Sequence, residues 1–181
     1  MRDRFGAEVE SGLIEVICAP DSFYPSYIDG DGDKGNWKHA LDVSFLMMYS
    51  QERAEFYLQL TDESHVSRGF VTKMQWFAME LEAKQYWMAI KYSEQGFAGN
   101  LFLSSELPRT IQFFLMFYND QKIEDLFKNL VYAKACRPGM IQAECQSRMN
   151  KVWVKHKVPL IRVGSATRSR NNSDVAAVLV V

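Results

Sequence analysis

The feature that most constrains this chain is an alternation of short apolar runs with longer stretches of helical spacing. Phe56-Tyr57-Leu58-Gln59-Leu60 reads as a buried strand that ends in Thr61-Asp62-Glu63. Trp87-Met88-Ala89-Ile90 reads as a second, broken at Gly96 and Gly99. Val152-Trp153-Val154 and Leu160-Ile161-Arg162-Val163 are β-like as well, and residues 12–18 alternate enough to form a strand closed by Pro20. Between these runs, Leu41, Phe45, Met48 and Tyr49 follow helical spacing, as do Phe70, Met74, Phe77, Ala78 and Leu81. A third helix carries Leu107, Ile111, Phe114, Leu115 and Tyr118, with Ser105 placed to cap it and Pro108 near its first turn. Ile123, Leu126, Phe127 and Leu130 mark a fourth. Strands alternating with helices predict a layered α/β domain with a mostly parallel sheet flanked by helices.

In such sheets ligands gather outside the carboxyl ends of strands, where Asp62 and Glu63 fall. A carboxylate pair there suits a hard divalent cation that shares its oxygen ligands with a diphosphate. The same pair also suits a helix N-terminus, where acidic side chains meet free N–H groups. On spacing alone both readings stand.

Composition removes several classes of function. The 181 residues are 48% hydrophobic, enough for a core without metal or disulfide staples. A net charge of −1 gives no basic field for nucleic acid or an anionic membrane. No stretch approaches a membrane span, and no signal-like apolar region follows Met1-Arg2-Asp3-Arg4. Asp29-Gly30-Asp31-Gly32-Asp33 imitates a calcium loop, but Lys34 and Ala40 stand where an EF-hand needs Gly and Glu. His39, His65 and His156 lack metal-ligand spacing. Cys136 and Cys145 lie close enough across a Pro-Gly loop to close a disulfide in an oxidising compartment. Asn171-Asn172-Ser173 is a glycosylation sequon that matters only in a secreted context. The run 176–181 is short enough to be a strand or a frayed tail.

One ordered set of segments starts at Ser11-Gly12-Leu13-Ile14-Glu15-Val16-Ile17, with Tyr24-Pro25 shortly after. It continues through 45–52, Tyr57-Leu58-Gln59-Leu60, Ser93-Glu94-Gln95-Gly96-Phe97-Ala98-Gly99 and Phe114-Leu115-Met116-Phe117-Tyr118. Together these segments resemble the N-acetylglucosaminyltransferase IV family, Golgi enzymes that add a β1,4-linked GlcNAc branch to the mannose core of N-glycans. The resemblance implies a GT-A-like (Rossmann-like) domain over residues 1–164 and a divergent tail over 165–181. It also implies UDP-GlcNAc as donor, Mn²⁺ as metal, an N-glycan acceptor on a glycoprotein and a Golgi membrane anchor. The family's Glu-Asp-Asp motif falls on Thr61, Asp62 and Glu63, making Asp62 and Glu63 the metal- and cofactor-binding residues. A family cysteine pair falls on Cys136 and Cys145, which implies a disulfide and leaves Cys18 as a buried strand thiol.

The departures are as informative. Thr61 stands in place of a Glu, and Glu63 in place of an Asp, one methylene longer. The family's His-Val-Gly falls on Arg162-Val163-Gly164, and an arginine is neither a neutral metal ligand nor a proton shuttle. No catalytic base can be placed. The family's first strand and its uridine-meeting loop lie upstream of the segment matched at Ser11, which leads to the expectation of a domain lacking that strand and binding donor poorly. The resemblance therefore implies an impaired, regulatory family member that binds an active Golgi GlcNAc transferase, with an active metal-dependent transferase as the alternative.

Overall fold

A computed structural model of the protein describes residues 5–25, 36–94, 96–164 and 176–180. The chain divides into two compact units, Met1–Asp31 and Gly32–Val181. In the first, a short helix α1 (Gly6–Glu10) ends in a turn at Gly12, whose φ of 74° suits glycine. The Ile14 N–H donates back to the Glu8 carbonyl at 2.9 Å. Residues 12–18 form no strand, and Cys18 is exposed, which corrects both expectations for this segment. Alternation makes a segment able to be a strand, but a strand forms only where a neighbour takes its backbone hydrogen bonds.

The second unit contains α2 (Asn36–Ser50), β1 (Phe56–Thr61), β2 (Ser64–Val66), α3 (Phe70–Glu82), β3 (Ala89–Lys91) and β4 (Asn100–Leu103). It continues with α4 (Leu107–Phe117), α5 (Ile123–Ala135), α6 (Gln142–Val152), β5 (Trp153–Lys155), β6 (Ile161–Val163) and β7 (Ala176–Val180). Five strands form one sheet in the order β5-β3-β4-β1-β7, and β2 and β6 form a separate antiparallel ribbon. Among the described strands only β3 and β5 pair in parallel. The β1–β4, β3–β4 and β1–β7 pairings are all antiparallel. The sheet is therefore mixed, not mostly parallel as the alternation suggested. The cause is local: Gly96 and Gly99, both at positive φ, turn the chain back so that β4 slots between β1 and β3.

Side chains on successive strand residues point to opposite faces, and here both faces are covered. Tyr57, Ala89 and Phe102 pack with α2, α4 and α5 through Met47, Phe114, Phe127 and Val131. Phe56, Leu58, Ile90 and Leu101 face the other way, onto Met74 and Ala78 of α3, beside Trp87 and Tyr92. Coverage of both faces explains why the strands read as nearly continuous apolar runs. Phe127 sits in a nest of aromatics, its ring 5.2 Å from Phe102 and 5.0 Å from Trp153, both edge-on. One polar side chain among them, Gln59, is buried and satisfied: it accepts from the Tyr57 hydroxyl at 2.5 Å and donates to the Leu60 carbonyl at 3.0 Å. Burial pushes the Tyr57 phenol far above its ordinary pKa, so it stays a donor.

Two helices differ from the sequence reading. Ser105 does not cap α4; it lies in a 3-10 turn, Ser104–Glu106, that leads into the helix, with Pro108 in the first turn as expected. Helix α6 leaves little trace in the sequence pattern because it is polar apart from the narrow stripe Cys145, Met149 and Val152 at spacings of four and three. Pairs one turn apart support it, with Arg148 donating to Glu144 and Gln146 to Asn150, each at 3.0 Å. The disulfide joins Cys136, just past α5, to Cys145 within α6, with Cα atoms 5.1 Å apart.

Candidate functional site

The acidic turn follows β1 directly. Phe56 to Gln59 are buried, Thr61 is half-buried, and Asp62 and Glu63 are exposed before the chain reverses into β2. Ser64 fixes the reversal: its hydroxyl accepts from the Thr61 N–H at 3.0 Å and lies 3.1 Å from the Thr61 hydroxyl. The Thr61 side chain is thus engaged within the turn and offers no charge. Ribbon β2–β6 then brings the second motif alongside. His65 is the register partner of Arg162, both are exposed, and the Gly164 N–H donates to the Glu63 carbonyl at 3.1 Å. The two segments singled out in the sequence, about 100 residues apart (164 − 63 = 101), are therefore neighbours. A side chain at Gly164 would approach Glu63 no closer than 3.6 Å, so the glycine is not demanded by steric contact with that residue.

Backbone bonds tie this turn to the rest of the same sheet end. The Gly99 N–H donates to the Gln59 carbonyl at 2.7 Å, and the Tyr92 N–H to the Gly99 carbonyl at 2.8 Å. Gly99 is obligatory here, because at φ +82° an added Cβ would meet the Ser93 Cβ at 2.7 Å. The Tyr92 carbonyl accepts from Leu160 and Ile161 at 3.0 and 3.1 Å, and the Lys91 carbonyl from His156 at 3.0 Å. The carboxyl ends of β1, β3 and β5 consequently share one rim. Lys91 and Lys155, the last residues of β3 and β5, stand there as register partners. The sequence reading passed over both, although each ends an apolar run, Met88-Ala89-Ile90-Lys91 and Trp153-Val154-Lys155.

As metal donors, Asp62 and Glu63 are two adjacent exposed carboxylates. Among the described residues no group of three or more His, Cys, Asp or Glu side chains could hold a metal ion. A pair of open carboxylates fits a cation that keeps several waters and completes its shell with phosphate oxygens; it does not make a closed cage. His39 lies on α2 and His156 follows β5, so neither joins the turn. Asn171, the calcium-like loop 29–33 and the tail 165–175 lie outside the described residues. No helix among the described residues is long and apolar enough to cross a membrane.

The model of the MGAT4 conserved region matches residues 1–174. The chain belongs to this family. It is 31% identical over 170 residues to the alpha-1,3-mannosyl-glycoprotein 4-beta-N-acetylglucosaminyltransferase A of Rattus norvegicus, covering 90% of this chain and 32% of that protein. It is 33% identical over 170 residues to the A enzyme of Pongo abelii, with the same coverage. The B enzyme of Danio rerio is 32% identical over 166 residues, covering 87% of the chain and 30% of the relative. The chain thus spans about a third of the length of the curated relatives it matches. No solved structure matches it. The resemblance read from the ordered motifs is the one the family model and the relatives establish.

Proposed function

We propose that this chain is an N-acetylglucosaminyltransferase IV-type protein of N-glycan branching whose donor site has lost catalytic power, and that it regulates by binding an active Golgi GlcNAc transferase. The observation that carries the reading is the make-up of the acidic turn. Two carboxylates remain, the first position of the motif is a threonine bound within the turn to Ser64, and the neighbouring ribbon presents Arg162 beside His65. On this reading the domain is of GT-A type, and its donor is UDP-GlcNAc. Asp62 and Glu63 would hold Mn²⁺, which when bound supplies positive charge against the diphosphate of the donor. Glu63 reaches one methylene further than an aspartate, which displaces a ligand oxygen by roughly an ångström where octahedral geometry is strict.

The test uses purified protein, UDP-GlcNAc, Mn²⁺ and a biantennary N-glycan acceptor. No GlcNAc transfer is expected, and robust transfer would overturn the impaired reading. Thr61→Glu combined with Glu63→Asp rebuilds the acidic motif; a gain of transfer locates the lesion at this turn.

One observation favours a second reading, an active transferase. Both carboxylates are exposed at a strand's carboxyl end, free to accept a cation. Calorimetric UDP binding that requires Mn²⁺ and is lost in Asp62→Asn supports a working donor site. Absence of UDP binding at millimolar Mn²⁺ removes this second reading.

A further inference from the structure

The longest ladder in the sheet is made by a strand that lies beyond the family match. Strand β7 pairs with β1 at five positions, from Tyr57 with Val180 to Thr61 with Ala176, whereas every other pairing among the described strands runs over three. The family match stops at residue 174, and β7 begins at Ala176. No other described strand takes that side of β1. Without β7 the edge would present the unpaired backbone groups of Tyr57 to Thr61, a template for any extended segment. The part matched by the family thus carries a strand-accepting edge, and this chain fills it with a segment of its own.

Two features make that segment exchangeable. The first is its tether. The Gly164 N–H donates to the Glu63 carbonyl at 3.1 Å and Ala176 stands opposite Thr61, so both ends of the connection meet the same turn. The connection has eleven residues, 165–175, and its twelve steps (176 − 164 = 12) span up to about 40 Å. A tether much longer than the gap it closes lowers the effective concentration of β7 at its own β1 and lets it reach a second copy. The second is composition. Ala176-Ala177-Val178-Leu179-Val180 has no charge and no proline, the devices that guard an edge, whereas the opposite edge strand β5 ends in Lys155 with Lys157 close behind. Such a segment pairs as readily with a second copy's β1 as with its own. We propose that the outer edge of β1 is a strand-docking surface and that two copies of this chain dimerise by exchanging β7. Each copy receives from its partner the ladder it otherwise makes within itself, so the exchange requires no new contact. No step of this depends on the donor-site reading.

Light scattering over a concentration series of the full chain reads the oligomeric state, and a dimer is expected. Adjacent strand residues alternate in the side to which their N–H points, so Val178→Pro/Leu179→Pro removes a donor to β1 and weakens the dimer about tenfold or more. Cysteines at the register pair Leu60 and Ala177 identify the contact, in a Cys18→Ser background that removes the free thiol. Facing residues of an antiparallel pair lie close enough for a disulfide. Leu60→Cys and Ala177→Cys chains, expressed together and oxidised, should join as a covalent heterodimer. A monomer at every concentration overturns the proposal, as does a dimer that Val178→Pro/Leu179→Pro leaves intact. So does a covalent dimer of the Ala177→Cys chain alone, which sets two β7 edges side by side. Failure of the mixed chains to cross-link, while one chain carrying both cysteines closes within itself, overturns it too.

Discussion

The two ends of the central sheet handle charge in opposite ways. At the end where β3 begins and β4 finishes, Glu106 pairs with Lys134 of α5 and accepts from the Tyr86 hydroxyl at 2.6 Å. Lys134 also lies 4.9 Å from the centre of the Tyr86 ring. At the other end, Asp62 stands beside Glu63 and Lys91 stands opposite Lys155. Opposite charges brought together close a surface and tie α5 to the turn that leads into α4. Like charges brought together repel and cost stability. The contrast marks the carboxyl rim as the place to seek ligands and the amino rim as structure.

Both ends hang on the same aromatic core, so the largest effect comes from removing it. Phe127→Ala takes away a fully buried ring that touches Phe97, Phe102, Phe114 and Trp153 and should cost about 3–5 kcal/mol in urea unfolding. A cost near that of a surface substitution would mean that the two ends do not share a core.

Next in size is the disulfide that anchors α5 just beyond Lys134. Its sequence separation of nine residues gives a loop whose closure stabilises the fold by ~2–3 kcal/mol, lost in Cys136→Ser/Cys145→Ser and measured by the same unfolding curve.

The closed end should then show a pH signature. Burial alone would raise the Glu106 carboxyl, but hydrogen bonds from Lys134 and Tyr86 and the charges of Lys134 and Arg109 outweigh it and hold its pKa below the ordinary value. A group depressed on folding contributes stability that is complete above the ordinary carboxylate range and is lost as pH falls through its lowered folded value. Glu106→Gln should therefore cost ~1 kcal/mol at neutral pH and progressively less toward acid. An equal cost at pH 3 and pH 7 would show that the contribution is packing and not charge.

The smallest effect on stability belongs to the open end. Asp62→Asn and Glu63→Gln should each change unfolding by under about 0.5 kcal/mol, because both side chains are exposed. Their effect is expected in Mn²⁺-dependent UDP binding. A large loss of stability in either variant would break the contrast between the two ends.

The helices α2 to α5 and strand β1 were legible because burial on one stripe or on both strand faces imprints a period on the sequence. The acidic turn was legible too, since it follows an apolar run that stops abruptly at Thr61. Strand β4 was not: Asn100-Leu101-Phe102-Leu103 is four residues behind Gly99, too short to show a period. Cys18 was misplaced because alternation carries no information about whether a partner strand exists.

By itself, then, the sequence determined the family, the α/β character, the order of the main elements and the residues that enter the acidic turn. These are properties of local pattern and of ordered motifs along one line. Only the tertiary structure decided that β4 runs antiparallel between β1 and β3, that Arg162 faces His65 beside Glu63, and that Lys91 meets Lys155. Strand direction and register are set by which distant segments exchange backbone hydrogen bonds and bury common surface. Those choices bring charges from three strands to one rim, and no stretch of the chain read alone contains them.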